Sequence, residues 1–186
     1  ADCAPFAPPA CARRLLSAAE CVSLRRFPGE RMKGVILAGG KGTRLYPLTK
    51  ATNKHLLPVG HEPMIYHPLR VLRDNGIEDI TIVSSPSGVG QIASLLGSGV
   101  EHGCQFTYRV QDQPGGIAAA LACAQNDDDG SDVAVILGDN IFTESPVFET
   151  PTFAHIYVAV VDYDKLPQFG VPVIQDGQIL NIVEKP

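Results

Sequence analysis

Apolar and polar positions along this chain come in blocks, and the blocks repeat. Residues 35–38 (Val-Ile-Leu-Ala) form a short continuous apolar run closed at once by Gly39 and Gly40, the pattern of a strand buried on both faces. After a long polar loop, Pro63 is suited to the first turn of a helix. Met64, Ile65, Leu69 and Leu72 then fall on one side, and Gly76 is placed as the carboxyl-terminal cap. Residues 80–84 read as a second strand, 91–96 as a short helix, 106–110 as a third strand, 117–125 as an alanine-rich helix and Val133–Leu137 as a fourth strand. Strand followed by helix, repeated, predicts an α/β fold with a mostly parallel sheet covered on both faces, because parallel strands need crossover connections and these are right-handed. Ligands of such sheets gather at the carboxyl ends of the strands. Beyond Asn140 the alternation gives way to strands at 155–161, 171–174 and 178–183, with Asp176-Gly177 as a hairpin turn. These are expected to extend the sheet, making it mixed, and to wall the ligand pocket.

Residues 1–31 differ in kind. Ala, Pro, Cys and Arg dominate, and only residues 12–23 could form a short amphipathic helix. The segment is expected to be an appendage, disordered or artificial. Its arginines faintly resemble a transit peptide, but Asp2, Glu20 and Glu30 speak against that and there is no apolar core of a secretory signal. Met32 directly precedes the first strand, so the folded domain is expected over residues 32–186.

Composition narrows the function classes. With 186 residues, 45% of them hydrophobic, the chain suffices for one domain with a sizeable core. The net charge of −5, from 15 basic and 20 acidic residues, argues against nucleic acid or an anionic membrane as partner. The longest apolar runs are strand-sized, too short to span a bilayer. Cys3, Cys11, Cys21, Cys104 and Cys123 match neither a zinc site nor a dense disulfide framework, so a reducing cytoplasm is the expected location. Cys104 and Cys123 lie in apolar surroundings and are expected to be inert.

The stretch from Leu37 to Leu45, Leu-Ala-Gly-Gly-Lys-Gly-Thr-Arg-Leu, holds the candidate chemistry. It is not a P-loop: Lys41 is followed by Gly42, and Val35 stands where the leading glycine belongs. It is not a dinucleotide fingerprint either, since Leu45 takes the place of the third glycine. What remains is a backbone free to approach a nucleotide and turn its N–H groups toward phosphate, with Lys41 and Arg44 beside it. On the glycines alone, a phosphate cradle and an ordinary strand-to-loop connection are equally good readings.

The wider pattern decides between them. Leu37 to Leu45 is followed by Pro-Leu-Thr-Lys at 47–50, Lys-His-Leu-Leu-Pro-Val at 54–59, Pro-Met-Ile-Tyr at 63–66, Gly-Asp-Asn-Ile-Phe at 138–142, Phe-Gly-Val-Pro at 169–172 and Glu-Lys-Pro at 184–186. In this order the blocks resemble the sugar-1-phosphate nucleotidyltransferases, and among them the glucose-1-phosphate thymidylyltransferases. The resemblance covers residues 32–186 and implies a Rossmann-like, three-layer nucleotidyltransferase fold. It implies a reaction in which a sugar-1-phosphate oxygen attacks the α-phosphorus of a nucleoside triphosphate and pyrophosphate leaves, with no protein nucleophile. Catalysis would rest on aligning two anions and neutralising the leaving group.

By the same resemblance Arg44, Lys54 and Lys185 are the catalytic cations. Leu37, Gly39, Gly40, Gly42, Thr43, Gln111 and Gly116 would bind the nucleotide, Gln111 and Gly116 at the base. Gly170, Glu184 and Lys185 would bind the sugar phosphate, and Asp139 would ligate Mg2+. The implied partners are a nucleoside triphosphate and a sugar-1-phosphate, with homo-oligomers for the full-length protein. The chain departs from the thymidylyltransferase pattern at His55 (Gln in the family), Ala119 (a polar residue) and Val173 (an acidic one). It also stops at Pro186 where the family continues into a second metal ligand and much of the oligomer contact, so the domain is expected to be incomplete at its carboxyl end. A regulatory relative or fragment that binds nucleotide or nucleotide-sugar without turnover is the alternative.

Overall fold

The computed structural model describes residues 32–186 other than 41, 114, 126–130, 149–155, 159, 177 and 185. The expectation for residues 1–31 lies outside the described residues. The chain divides into a first compact unit extending to Phe148 and a second that carries the last two strands.

The first unit is built on a four-stranded sheet. Its strands are β1 (Lys33–Ala38), β4 (Asp79–Ser84), β5 (Gln105–Val110) and β6 (Val133–Leu137), in the order β5-β4-β1-β6. Every pair is parallel, in agreement with the α/β pattern of the sequence. The chain therefore steps outward from β1 through β4 to β5 and then returns to the other side of β1 for β6. That reversal places the topological switch between β1 and β6, where sheets of this kind hold ligands.

Helices α1 (Tyr66–Asp74) and α2 (Pro86–Leu96) cover one face and α3 (Gly116–Ala124) the other. Ile36, Ala38, Ile80 and Ile82 pack with Leu69, Leu72, Ile92 and Leu96; Val35, Leu37 and Val83 pack with Ala120. Burial from both sides explains why the central strands read as continuous apolar runs. The edge strand β6 is equally apolar in sequence but buries only Ala134 and Ile136, leaving Val133 50% and Val135 40% exposed.

Three elements differ from the sequence expectation. Helix α1 begins at Tyr66, because Glu62–Pro63 (β3) pairs antiparallel with Pro58–Val59 (β2). Helix α2 begins five residues earlier than residue 91, with Pro86 in its first turn where a missing N–H costs nothing; two glycines close behind it obscured that start. In the third, residues 156–158 carry no strand; the rest of that expectation falls partly outside the described residues.

The second unit holds β7 (Gly170–Gln175) and β8 (Gln178–Glu184), an antiparallel hairpin joined where Asp176 takes φ 50°. The hairpin expectation is met, with one extra β8 residue opposite the step from Val173 to Ile174. The expected extension of the main sheet is not. Among the described residues β7 and β8 pair only with each other. Among the described residues no helix is long and apolar enough to cross a membrane.

Candidate functional site

At the switch point the carboxyl ends of β1 and β6 lie side by side, Leu37 opposite Leu137. The N–H of Gly138 donates to the Leu37 carbonyl at 2.9 Å, so the turn bearing Asp139 is stitched to the strand that feeds the glycine-rich loop. That loop turns back sharply at Gly42, which has φ 58° and a carbonyl that accepts from Thr49 Oγ1 at 2.7 Å. A side chain on Gly42 would stand 2.9 Å from Thr49 Cγ2 and 3.2 Å from Lys54 Cβ. Both conformation and space therefore demand glycine there. The tight 3-10 turn Thr43–Leu45 follows and presents Arg44.

Lys54 comes from a later 3-10 turn, Lys54–Leu56. Its amine forms an ion pair with Asp139 Oδ2. Gly42, Thr43, Arg44, Leu45, Lys54, Met64 and Asp139 line an open cleft of about 470 Å³. Burial pushes the Asp139 carboxyl up, but the hydrogen bond and charge of Lys54 outweigh it and hold the group below the usual carboxylate range. The cleft floor thus carries an ionised carboxylate at neutral pH, paired with Lys54 in a cleft that Arg44 also lines.

Beneath this floor lies His55, only 1% exposed. Its N–H and ring Nδ1 both lie on Asn53 Oδ1, at 2.9 and 2.8 Å. Burial first, then the neighbouring Lys54 ammonium, hold its pKa down to about 4 against the opposing pull of Asp139. His55 is therefore a neutral packing residue. The sequence suggests only partial burial in a loop, because nothing local announces that Gly138 closes over the ring.

A second group gathers over the ends of β1 and β4. The Gln111 N–H donates to the Ser84 carbonyl at 2.8 Å, and Gln111 Oε1 lies 3.1 Å from where a Gly39 side chain would begin. Gln111 Nε2 points to the Gly116 carbonyl at 3.5 Å. Gly39, Gln111 and Gly116 thus come together, beside the cleft lining. Leu37 buries its side chain under α3, so it can offer a ligand only backbone. Gly40, with φ 98°, lies in the loop but not in the cleft lining. In the second unit Gly170 and Glu184 are register partners at the end of the hairpin ladder; Lys185 lies outside the described residues. Among the described residues no group of three or more His, Cys, Asp or Glu side chains could enclose a metal.

The model of the family described as nucleotidyl transferase matches residues 33–186. The chain belongs to this family. Within it, the domain is 48% identical over 164 residues to a glucose-1-phosphate thymidylyltransferase of Mycobacterium tuberculosis, covering 83% of this chain and 56% of that one. It is 41% identical over 160 residues to the enzyme of the same name from Xanthomonas campestris pv. campestris, covering 83% and 54%. A Bacillus anthracis chain described as a glucose-1-phosphate thymidylyltransferase, crystallised with sucrose, superposes with TM-score 0.69 at 43% identity, over 83% of this chain and 65% of that chain. This nucleotidyl transferase chain spans about half the length of the curated relatives it matches.

Proposed function

We propose that the protein transfers a nucleotidyl group from a nucleoside triphosphate, dTTP by preference, to a hexose-1-phosphate, foremost glucose-1-phosphate. The observation that carries this reading is the convergence of Arg44, Lys54 and Asp139 in one cleft at the switch point. The naming of the matched relatives as glucose-1-phosphate thymidylyltransferases supports the choice of base and sugar.

In this reaction a phosphate oxygen of the sugar-1-phosphate bonds to the α-phosphorus while the bond from that phosphorus to the bridging oxygen breaks, so the electron pair leaves on pyrophosphate. Two anions must meet, and negative charge grows on the leaving group. Arg44 has the planar fork that grips phosphate bidentately, and Lys54 supplies a compact charge. Both act most on the transition state, where the departing charge is largest. Gln111 can satisfy both donor and acceptor on a pyrimidine edge, with Gly39 and Gly116 giving the base close access to backbone. Gly170, Glu184 and Lys185 are assigned to the sugar phosphate.

A single ionised carboxylate opening onto a cleft roomy enough for a triphosphate fits Mg2+, which takes most of its ligands from phosphate oxygens and water. Asp139 would hold it, and when bound the ion would neutralise charge at the α-phosphate. Lys54 occupies only one oxygen of that carboxylate. The cytoplasm, which supplies nucleoside triphosphates, is the proposed location, and a homo-oligomer the proposed state of the full-length protein.

The test is pyrophosphate release by the full-length protein with glucose-1-phosphate, Mg2+ and each of dTTP, UTP, CTP and GTP. Turnover is expected, fastest with dTTP and abolished in Asp139→Ala. Nucleotide binding without pyrophosphate release would replace this reading with a non-catalytic binding module.

A further inference from the structure

Lys54 stands in a single 3-10 turn within the long connection between β1 and α1. One such turn cannot hold a direction on its own. Asn53 caps it, accepting the His55 N–H at 2.9 Å. The accepting atom is therefore the amide oxygen, so the ring Nδ1 of His55, 2.8 Å from the same atom, carries the proton. Asn53 is in turn fastened to α2. Its own N–H donates to Gln91 Oε1 at 2.9 Å, and Thr52 Oγ1 donates to that oxygen at 3.3 Å.

One turn back along α2, Gly88 lets the helix backbone come so close that an added side chain would stand 2.2 Å from Asn53 Nδ2. On the other side, a side chain on Gly138 would stand 2.7 Å from the His55 ring. Contacts thus run from α2 through Asn53 and His55 to the turn bearing Asp139, and Lys54 lies inside that chain. Gln91 is exposed and takes no part in the apolar core.

We propose that Gln91 and Asn53 are positioning residues that hold the Lys54 amine against Asp139 and aim it into the cleft. Its kinetic consequence rests on the nucleotidyl-transfer reading, whereas the placement of Lys54 does not. The test uses the full-length protein. Trace acylation with an amine-reactive ester, read peptide by peptide, reports how freely each lysine amine is presented. Lys165, paired with Asp162 in the second unit, serves as the internal reference.

Loss of a capping-type contact shifts a local equilibrium by about fivefold. Gln91→Ala and Asn53→Ala should each raise Lys54 labelling relative to Lys165 by that order. Gln91→Glu, whose carboxylate can still accept from the Asn53 N–H, should restore the parent rate. An unchanged Lys54 rate in both alanine variants, or no restoration by glutamate, overturns the proposal. Turnover measured beside it should fall in kcat more than KM rises for Gln91→Ala and recover in Gln91→Glu. Raised and restored labelling with constant turnover leaves the positioning intact and removes Lys54 from the proposed reaction.

Discussion

Replacing Gly138 by alanine tests whether the floor of the cleft is built as described. The added methyl carbon would sit 2.7 Å from His55 Cδ2, 3.0 Å from Nε2 and 3.2 Å from the Leu37 carbonyl oxygen. Carbon atoms rest at about 3.5 Å or more, so something must move by roughly 0.8 Å. The ring cannot retreat easily, being 1% exposed and bonded through Nδ1 to Asn53 at 2.8 Å. The Gly138–Asp139 turn must therefore lift, carrying the carboxylate away from Lys54. Overpacking of this kind costs about 1–3 kcal/mol, and a misplacement near 1 Å at a reacting centre costs on the order of 100-fold in rate.

Urea unfolding at constant slope measures the first effect and pyrophosphate release the second. His55→Ala removes the obstacle, so the double variant should be less destabilised than the two singles added together, by at least about 1 kcal/mol. Additive effects, or a Gly138→Ala protein as stable and active as the parent, would refute the packing of His55 beneath the turn.

Three further outcomes are expected. His55 is held neutral, its pKa down to about 4 from an ordinary 6.5; the unfolded chain binds more protons between those values, so stability is full above pH 6.5 and falls as pH drops toward 4, by about 3 kcal/mol. Urea midpoints across that range should show the slope in the parent and lose most of it in His55→Gln. Arg44→Lys keeps a charge in the cleft but loses the phosphate fork, so kcat/KM for the triphosphate should fall about tenfold, the size of one charge-assisted bond; equal values would show that Arg44 acts as a point charge only. Cys104 is 8% exposed and burial pushes its thiol up, so peptide-mapped alkylation at pH 8 should find it slow in the native protein and fast in urea, and rapid native labelling would contradict its burial.

Elements whose cause is local were legible in the order of residues alone. β1, β4, β5, β6 and α3 follow from apolar runs of strand length, alanine content and glycine punctuation, because short-range sterics and burial on two faces act through neighbouring residues. The ordered blocks from Leu37 to Pro186 likewise pointed to the family and to Arg44, Lys54 and Asp139 as a set. Tertiary structure decided what depends on approach between distant segments. Only the parallel neighbours β1 and β6 bring Lys54 to Asp139, 85 positions apart. Only the pairing of Pro58–Val59 with Glu62–Pro63 delays α1, and the close passage of Asn53, together with the Ser84 hydroxyl, gives Gly88 its reason within α2. Val133 and Val135 look as buried as Ile36 in sequence, yet lie at an edge with one open face. Gln91 carried no local signal, since its hydrogen bond to Asn53 across 38 residues leaves no periodicity to read, and the burial of His55 depends on Gly138, which is remote in sequence. Side-chain pattern fixes which face of an element is apolar; the return of the chain past β1 fixes which of those faces and loops meet.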